Sequence, residues 1–192
     1  NAGEPPVVTI TDVVEVPKEQ PVNKTDITNK VSVVDPEGGE YTIDVAPDPS
    51  GIDTSKPGVH PIEVTVTDSD GNEVKETVVV VITDDTMGVG ERYIIQAKDF
   101  TKMAGEVVLP DTDNASIIAA GQVEVYDKTT GLVVTPTPAL TVDRGTYTNK
   151  EGIYPIEYKI TDDATAISKI KGTVNAGEPP VVTITDVVEV PK

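Results

Sequence analysis

The acidic segment Asp68–Asn72, with the sequence DSDGN, holds the side chains of this chain that are best suited to binding a metal ion. Calcium in proteins takes about six to eight oxygen ligands, which short loops of carboxylates and amides can supply. Asp68, Asp70 and Asn72 are therefore candidate calcium ligands. An EF-hand needs a glutamate at about the twelfth loop position, and counting from Asp68 that position is Val79. The spacing excludes an EF-hand and favours a polar hairpin turn, with calcium binding as the alternative.

A second pair of carboxylates, Asp84 and Asp85, lies where two related parts of the sequence meet. A calcium ion bound here would stiffen the junction between those parts. No further ligand motif accompanies the pair. Calcium at one of these two places is therefore the one cofactor that the sequence leaves open, and we predict no other.

The chain is poorly equipped for catalysis. His60 is its single histidine, and it has no cysteine. In a related segment farther along, Tyr154 takes the place of His60 while several neighbouring residues are identical, a change that would remove a catalytic base. General acid–base catalysis and a cysteine nucleophile are therefore disfavoured, and we predict no catalytic residue and no enzyme.

The charge excludes two classes of partner. The chain carries 33 acidic and 15 basic residues, a formal net charge of −18. Nucleic acid and anionic membranes would both repel it, because binding them needs a basic surface. The longest apolar run, TVVVVIT at 77–83, is far too short to insert across a bilayer. Most of the excess charge lies in residues 1–84, which hold 17 acidic and 5 basic residues.

Two repeats of different period organise the chain. Residues 175–192 copy residues 1–18 letter for letter (NAGEPPVVTITDVVEVPK), an offset of 174 (175 − 1). Inside this period, residues 53–68 match residues 147–162 at an offset of 94 without a gap. Self-similarity at a fixed offset is typical of tandem arrays. We predict a first module at 1–84, a second module at 85–174, and the first strand of the next copy at 175–192; the two module names are kept for these ranges.

Composition and pattern predict an all-β fold. Aromatic residues make up only 4% of the chain, so the cores must be built from Val and Ile, which favour strands. Residues 60–68 and 73–82 predict a hairpin across the SDGN turn. Further strands are predicted at 7–10, 13–16, in the later part of 26–34, and at 41–45, 92–100, 122–127, 132–134 and 139–142, and residues 166–174 repeat the second hairpin strand. About seven strands in each module fit two immunoglobulin-like β-sandwiches in series.

A few positions are predicted individually. One helix is expected at 113–121, capped by Asp113 or Asn114 and ended by Gly121. Residues from Asp26 are expected to form a short turn before the next strand. Tyr41 and Tyr158 fall on core positions of alternating strands. The other four tyrosines are candidate contacts for a carbohydrate; they are Tyr93, Tyr126, Tyr147 and Tyr154.

The first module resembles the immunoglobulin-like repeat domains of Gram-positive cell-wall-anchored surface proteins. The likeness is carried by DTSKPGVHPIEVTVTDSDGN at 53–72, by the alternating Val/Thr strand after it, and by KTDITNKVSV at 24–33. The second module, with IIQAKDFTKMAGEV and VEVYDKTTG, is similar to a divergent relative in which the Pro-Gly and Gly-Asn pairs are missing. The resemblance implies an extracellular repeat that lies between an adhesive domain and a cell-wall anchor.

Two functions follow as hypotheses. The first is a non-catalytic stalk or spacer that projects an adhesive domain, with neighbouring repeats of the same chain as its partners. The second is a binding module that recognises a host surface protein or glycan directly. Residues 175–192 are expected to be extended and to pair with an exposed sheet edge of a neighbouring molecule at high concentration. In dilute solution the chain is expected to be monomeric.

Overall fold

A computed structural model describes residues 3–104 and 113–177. The chain is all-β, with immunoglobulin-like sandwich architecture and two short helices. The elements of the first module are β1 (Val7–Ile10), β2 (Val14–Pro17), α1 (Lys24–Thr28), β3 (Val31–Val34), β4 (Tyr41–Ala46), a 3₁₀ turn (Pro49–Gly51), β5 (Gly58–Asp68) and β6 (Glu73–Thr83).

The first module is built on one four-stranded sheet with the order β2-β6-β5-β4. β4, β5 and β6 are antiparallel neighbours, whereas β2 pairs with β6 in parallel, with Val14 opposite Val80. The two-stranded sheet β1–β3 covers one face of this sheet. An apolar cluster lies between the two sheets; it contains Val14, Val16, Val22, Ile27, Val45, Ile62, Val64, Val78, Val80 and Ile82.

The elements of the second module are β7 (Met87–Val89), β8 (Tyr93–Gln96), β9 (Phe100–Met103), α2 (Asn114–Ala120), β10 (Glu124–Asp127), β11 (Leu140–Asp143), β12 (Gly152–Ile160) and β13 (Asp163–Asn175). They form two sheets, with the orders β10-β8-β7 and β11-β12-β13-β9. The core between these sheets includes Ile95, Val125, Ile156, Tyr158 and Ile170.

The sheets of the described residues stack in four layers with three apolar clusters between them. The third cluster contains Val13, Val79 and Val81 from the first module and Met87 and Ile94 from the second. It lies between the outer face of the four-stranded sheet of the first module and the sheet β10-β8-β7. The two modules therefore meet through the faces of their sheets as well as through the connecting segment.

This stacking explains the unbroken apolar run in β6. All five residues of Val78–Ile82 are buried. Val78, Val80 and Ile82 point into the core of the first module, and Val79 and Val81 point into the third cluster. A strand that is buried on both faces needs apolar residues at consecutive positions, whereas a half-buried strand alternates.

Most of the predicted elements are confirmed. The hairpins β5–β6 and β12–β13 are present, and α2 has Asp113 as its N-cap and Gly121 as its C-cap, as expected. The short turn expected from Asp26 before a strand is found as the five-residue helix α1, which was not expected, followed by a turn at 29–30 and by β3. Asn23 Oδ1 accepts the amide of Asp26, and the side chain of Asp26 in turn accepts the amide of Asn23, so the N-terminal capping box of this short helix is complete.

Three further expectations need correction. The predicted strand at 132–134 is reduced to a single bridge between Val133 and Tyr126. The predicted continuous strand at 92–100 is divided into β8 and the start of β9, and β7 was not expected. Tyr41 is not a core residue but is 45% exposed, because it begins β4 at the edge of its sheet. The predicted pairing of 175–192 falls almost wholly on 178–192, outside the described residues.

Candidate functional site

The junction between the modules is the place where the structure brings the two halves of the chain together. β6 presents Val79 and Val81 to Met87 and Ile94 of the second module. Val59, Val89 and Tyr126 pack around this cluster. The central residues of this contact are almost fully buried: Val79, Val81 and Ile94 are each at most 2% exposed. Apolar contacts of this kind resist rotation of one module against the other.

The turn 129–131 of the second module reaches the first module directly. Gly131 has a φ of +68°, and a Cβ added there would lie 3.2 Å from Val79 and 3.3 Å from Pro61. Glycine is therefore favoured twice at this position, by its left-handed backbone and by the close contact. Just before β5 begins, the carbonyl of Pro57 accepts a hydrogen bond from the side-chain amide of Gln96 at 3.3 Å.

A salt bridge closes one side of the junction. Lys128 Nζ lies 3.1 Å from Asp12 Oδ1, and the lysine side chain is only 20% exposed. The same carboxylate oxygen accepts the amide of Val13 at 2.8 Å. Partial burial acts to raise the pKa of Asp12, but the pairing with Lys128 and the amide of Val13 outweigh it, so the pKa is lowered. The ion pair thus links the N-terminal strand region of the first module to the second module.

A cleft of about 230 Å³ opens beside this salt bridge. Its lining comes from both modules and combines Asp12, Glu91 and Lys128 with the apolar side chains of Ile10 and Val79. A cleft with two carboxylates, one ammonium group and an apolar floor could hold a small polar ligand or the side chains of a partner protein.

The first calcium candidates, Asp68, Asp70 and Asn72, lie in the β5–β6 turn. Asp68 Oδ1 accepts the amides of Asp70 and Asn72 at 2.9 and 2.8 Å, and its Oδ2 accepts the side-chain amide of Asn72 at 2.9 Å. The hydrogen bond from Asn72 is the main reason that the pKa of Asp68 is lowered. The Asn72 amide also donates to the carbonyl of Gly3 at 3.1 Å, so this turn holds the start of the chain.

The second calcium candidates, Asp84 and Asp85, lie at the opposite end of β6. Asp84 Oδ1 accepts the amide and the hydroxyl of Thr86 at 2.8 and 2.6 Å. The carbonyl of Asp85 accepts the amide of Lys169 at 2.8 Å. Asp99, Lys169 and Lys171 line the depression beside these carboxylates, so negative and positive side chains are mixed there.

The two sets of calcium candidates are not brought together, because the full length of β6 separates them. Within residues 3–104 and 113–177, no group of three or more His, Cys, Asp or Glu side chains is placed to share a metal ion. Calcium binding at either end of β6 therefore stays an untested alternative to a purely structural role of these carboxylates.

Sequence reasoning missed the structural role of Asp163. Its side chain is 5% exposed and lies under the β7–β8 turn. Oδ2 accepts the amides of Arg92 and Tyr93 at 2.8 and 3.0 Å, and Oδ1 accepts the amide of Glu91 and the hydroxyl of Thr165. Burial alone would raise its pKa, but these four donors lower the pKa to about 2. The carboxylate thus fixes the β7–β8 turn, and with it the sheet that contacts the first module.

The histidine and tyrosines occupy mostly structural positions. His60 shares a face of β5 with Ile62 and Val64, and partial burial lowers its pKa. Tyr158 is fully buried, as expected, and donates to the carbonyl of Ile117 at 2.7 Å. Tyr147, a candidate carbohydrate contact, is instead 5% exposed and packs edge-to-face on Phe100 and Tyr154.

The other candidate carbohydrate contacts are partly buried. Tyr126 belongs to the junction, where its hydroxyl donates to Glu124 at 2.8 Å, and burial together with this carboxylate raises its pKa to about 12. Tyr93 stacks under the guanidinium of Arg92 at 5.1 Å, and the Tyr154 hydroxyl donates to the carbonyl of Lys150. None of these rings stands out as a flat exposed platform within the described residues.

Comparison with known proteins gives only weak likenesses. No protein-family model matches the chain, and no curated protein does. The chain is similar to the Drosophila N-cadherin EC1-4 structure at 12% identity and a TM-score of 0.28, covering 90% of this chain and 50% of that one. It is similar to the human mucin-like protocadherin EC1-2 structure at 13% identity and a TM-score of 0.26, covering 89% and 99%. The chain thus spans about half the length of the first of these, and likeness at this level does not assign a function.

No helix in the described part of the chain is long and apolar enough to cross a membrane.

Proposed function

We propose that the chain is a non-catalytic structural repeat of a Gram-positive cell-surface protein, acting as a stalk or spacer that holds an adhesive domain away from the cell wall. The observation that carries the proposal is the apolar junction between the modules, where Val79 and Val81 of β6 pack on Met87 and Ile94. A spacer needs such a contact, because modules joined only by a linker move independently.

The repeat in the sequence supports an array of such units. Residues 175–192 are identical to residues 1–18, so the first module begins again as soon as the second one ends. Repetition of this kind adds length without adding new chemistry, which suits a spacer. The acidic composition supports the same role, since like charges keep neighbouring stalks apart and soluble.

The resemblance of residues 24–33 and 53–72 to Gram-positive surface repeats supports the extracellular, cell-wall-anchored location. The absence of cysteine from the chain agrees with it, because a sandwich with a sufficient core needs no disulfide.

Small-angle X-ray scattering on chains of one, two and three 174-residue periods tests the spacer function. A stiff array should lengthen in proportion to the number of periods. Growth of the radius of gyration with an exponent near 0.5–0.6, as for a flexible string, would reject the stiff spacer. A chain with Val79→Lys in every period is the matched control, because it should lose stiffness at the junction alone.

Direct adhesion is the second candidate function, and the cleft at the junction favours it. A host protein or a glycan that bound there would meet Asp12, Glu91 and Lys128 from two modules at once. Binding of the chain to host-cell extracts or glycan arrays, abolished by Lys128→Glu but not by Lys56→Glu, would support adhesion. Equal binding by both variants would reject the cleft as the adhesive surface.

A further inference from the structure

The second module ends in a small surface, named here the trailing end, that carries Ile153, Lys150 and Lys102. β13 ends at Asn175, and the preceding Val174 pairs with Gly152 on one side and with Lys102 on the other. Ile153 is 69% exposed although it is a large aliphatic residue on a strand. Lys150 stands two residues before Gly152 and is exposed at the same end.

The equivalent end of the first module is covered. At the offset of 94, Ile153 corresponds to Val59, which packs against the junction cluster beside Met87 and Ile94. Glu151 likewise corresponds to Pro57, whose carbonyl accepts a hydrogen bond from Gln96 of the second module. In the first module, therefore, the residues at this end of the hairpin belong to the sheet face on which the following module packs.

The first module begins at the opposite end of its sheet, named here the leading end. Gly3 accepts a hydrogen bond from Asn72 in the β5–β6 turn, and the amide of Glu4 donates to Glu37 Oε1 at 3.3 Å. Asn175–Gly177 repeat residues 1–3, and two residues span at most about 7 Å. In an array, the leading end of the next first module must therefore lie beside Asn175.

The leading end has an exposed apolar pair of its own. Val7 and Val34 face each other across β1 and β3 and are 57% and 61% exposed. Around them are acidic side chains that make no ion pair within the described residues; they are Glu4, Asp35, Glu37, Glu40 and Asp70. Lys102 and Lys150 at the trailing end are likewise outside the ion pairs of the described residues.

We infer that successive repeats dock on each other, with Ile153 of one repeat covering the Val7–Val34 pair of the next while Lys102 and Lys150 face its acidic turns. The occupant of the trailing end is thus the first module of the following copy of this chain. Chain connectivity places the two surfaces side by side. Among the described residues, the trailing end carries Lys102 and Lys150 with one exposed acid, Glu151, against the five acidic side chains of the leading end. This inference rests on the proposed repeat array, and it adds a second fixed joint to the one at the junction.

Disulfide trapping tests the contact, and the absence of cysteine from the chain leaves no background. The probe is a two-repeat chain, residues 1–174 followed by 1–192, with Ile153→Cys in the first copy and Val34→Cys in the second. Mild oxidation should form the intramolecular disulfide about tenfold faster than in a control chain that carries Leu132→Cys in place of Ile153→Cys. Leu132 is 62% exposed but lies beside the turn at Gly131, away from the trailing end. Equal rates in the two chains would overturn the inference, and thermal unfolding of the reduced chains confirms that both are folded.

Charge reversal gives an independent measurement. Lys102→Glu and Lys150→Glu together should slow formation of the Ile153→Cys/Val34→Cys disulfide at low salt, and 1 M salt should remove most of the difference. Lys56→Glu is the matched control, because Lys56 is the counterpart of Lys150 in the first module. No effect of the double reversal would reject the charged part of the contact.

Scattering from the same two-repeat chain separates this inference from the proposed function. An elongated particle without selective trapping would leave the spacer function standing and reject the docking of successive repeats. A flexible string would reject both.

Discussion

Gly88 on β7 lies directly against the backbone of Ile167 on β13, so closely that a Cβ at position 88 would overlap the N, C and O atoms of Ile167. Neighbouring contacts hold the two segments together: the Ser168 hydroxyl donates to the carbonyl of Thr86 at 2.7 Å, and the Lys169 amide donates to the carbonyl of Asp85. The connecting segment between the modules therefore packs directly on β13. This close packing requires glycine at position 88, because a Cβ there would overlap the backbone of Ile167.

Gly88→Ala should destabilise the chain by about 1–3 kcal/mol, because backbone cannot move aside as a flexible side chain can. Urea unfolding measures the loss. Gly51→Ala is the control, since a Cβ at position 51 would enter open space, and it should stay within about 0.5 kcal/mol of the parent chain. Equal stability of the two variants would show that β7 can shift away from β13 at no cost.

Val79→Ala should weaken the junction by about 1–3 kcal/mol, because it removes buried methyl groups from the contact with the second module. Val34→Ala makes the same chemical change at a position that is 61% exposed, and it should be nearly neutral in the single chain. Chemical denaturation compares the two. A neutral Val79→Ala would mean that the junction adds nothing to the stability of either module.

Asp163→Asn should lower the free energy of unfolding by about 1–3 kcal/mol at neutral pH. The NH₂ group of the asparagine would face backbone N–H groups that donate to the carboxylate in the parent chain. The folded-state pKa of Asp163 is about 2, below the ordinary 3.8. Its stabilising effect is therefore full above the unfolded pKa and is lost as the pH falls from about 4 through 2. Stability measured from pH 7 to pH 2 should show the gap between parent and variant closing in that window.

Asp162→Asn is the control for this pH dependence, because Asp162 is the exposed neighbour of Asp163. It should leave both the stability at neutral pH and its slope on acidification nearly unchanged. A gap for Asp163→Asn that stays constant down to pH 2 would contradict the assigned role of the carboxylate.

Asp12 and Lys128 should be coupled by about 0.5–1 kcal/mol in a double-mutant cycle of Asp12→Asn and Lys128→Met. The Asp12 side chain is 53% exposed, so solvent screens the pair and limits the coupling. Raising the salt concentration to 1 M should remove most of the coupling. A coupling near zero at low salt would mean that the contact at 3.1 Å does not help to hold the modules together.

Thermal stability should be the same in millimolar calcium and in EDTA. Asp68 and Asp84 already accept hydrogen bonds from their own turns, and calcium at 100 times its Kd would add about 2.7 kcal/mol, a shift of several degrees. Differential scanning calorimetry checks this directly. If calcium does raise the midpoint, Asp70→Asn and Asp84→Asn would show at which end of β6 the ion is bound.

Local signals accounted for the elements that the sequence predicted well. The helix at 114–120 was found from its caps, and the two hairpins from alternation and turn residues, because these depend on neighbours along the chain. The helix at 24–28 is too short to show a helical period, and its one local signal was the reciprocal cap between Asn23 and Asp26. The run Val78–Ile82 indicated a strand, but which second layer covers it depends on tertiary packing.

The buried carboxylate was the hardest feature to predict. Counting at the offset of 94 makes Asp162 the counterpart of Asp68, yet Asp163 is the buried residue. The register of β12 and β13 shifts after Lys159, so the shorter second hairpin moves its turn by one residue and reverses which aspartate faces inward. Alignment without a gap cannot reveal such a shift.

The parallel pairing of β2 with β6 determines how the first module responds to mechanical force. Because the two strands are parallel, the start of β2 and the end of β6 lie at opposite ends of the pair. A pull on these two ends therefore slides the strands past each other along their length. The hydrogen bonds between Val14–Pro17 and residues 80–83 then bear the load in shear, all together, whereas strands that peel apart lose their bonds one at a time. β9 and β13 repeat the parallel arrangement in the second module. A filament built from this unit would oppose a pull along its length with hydrogen bonds that must break together.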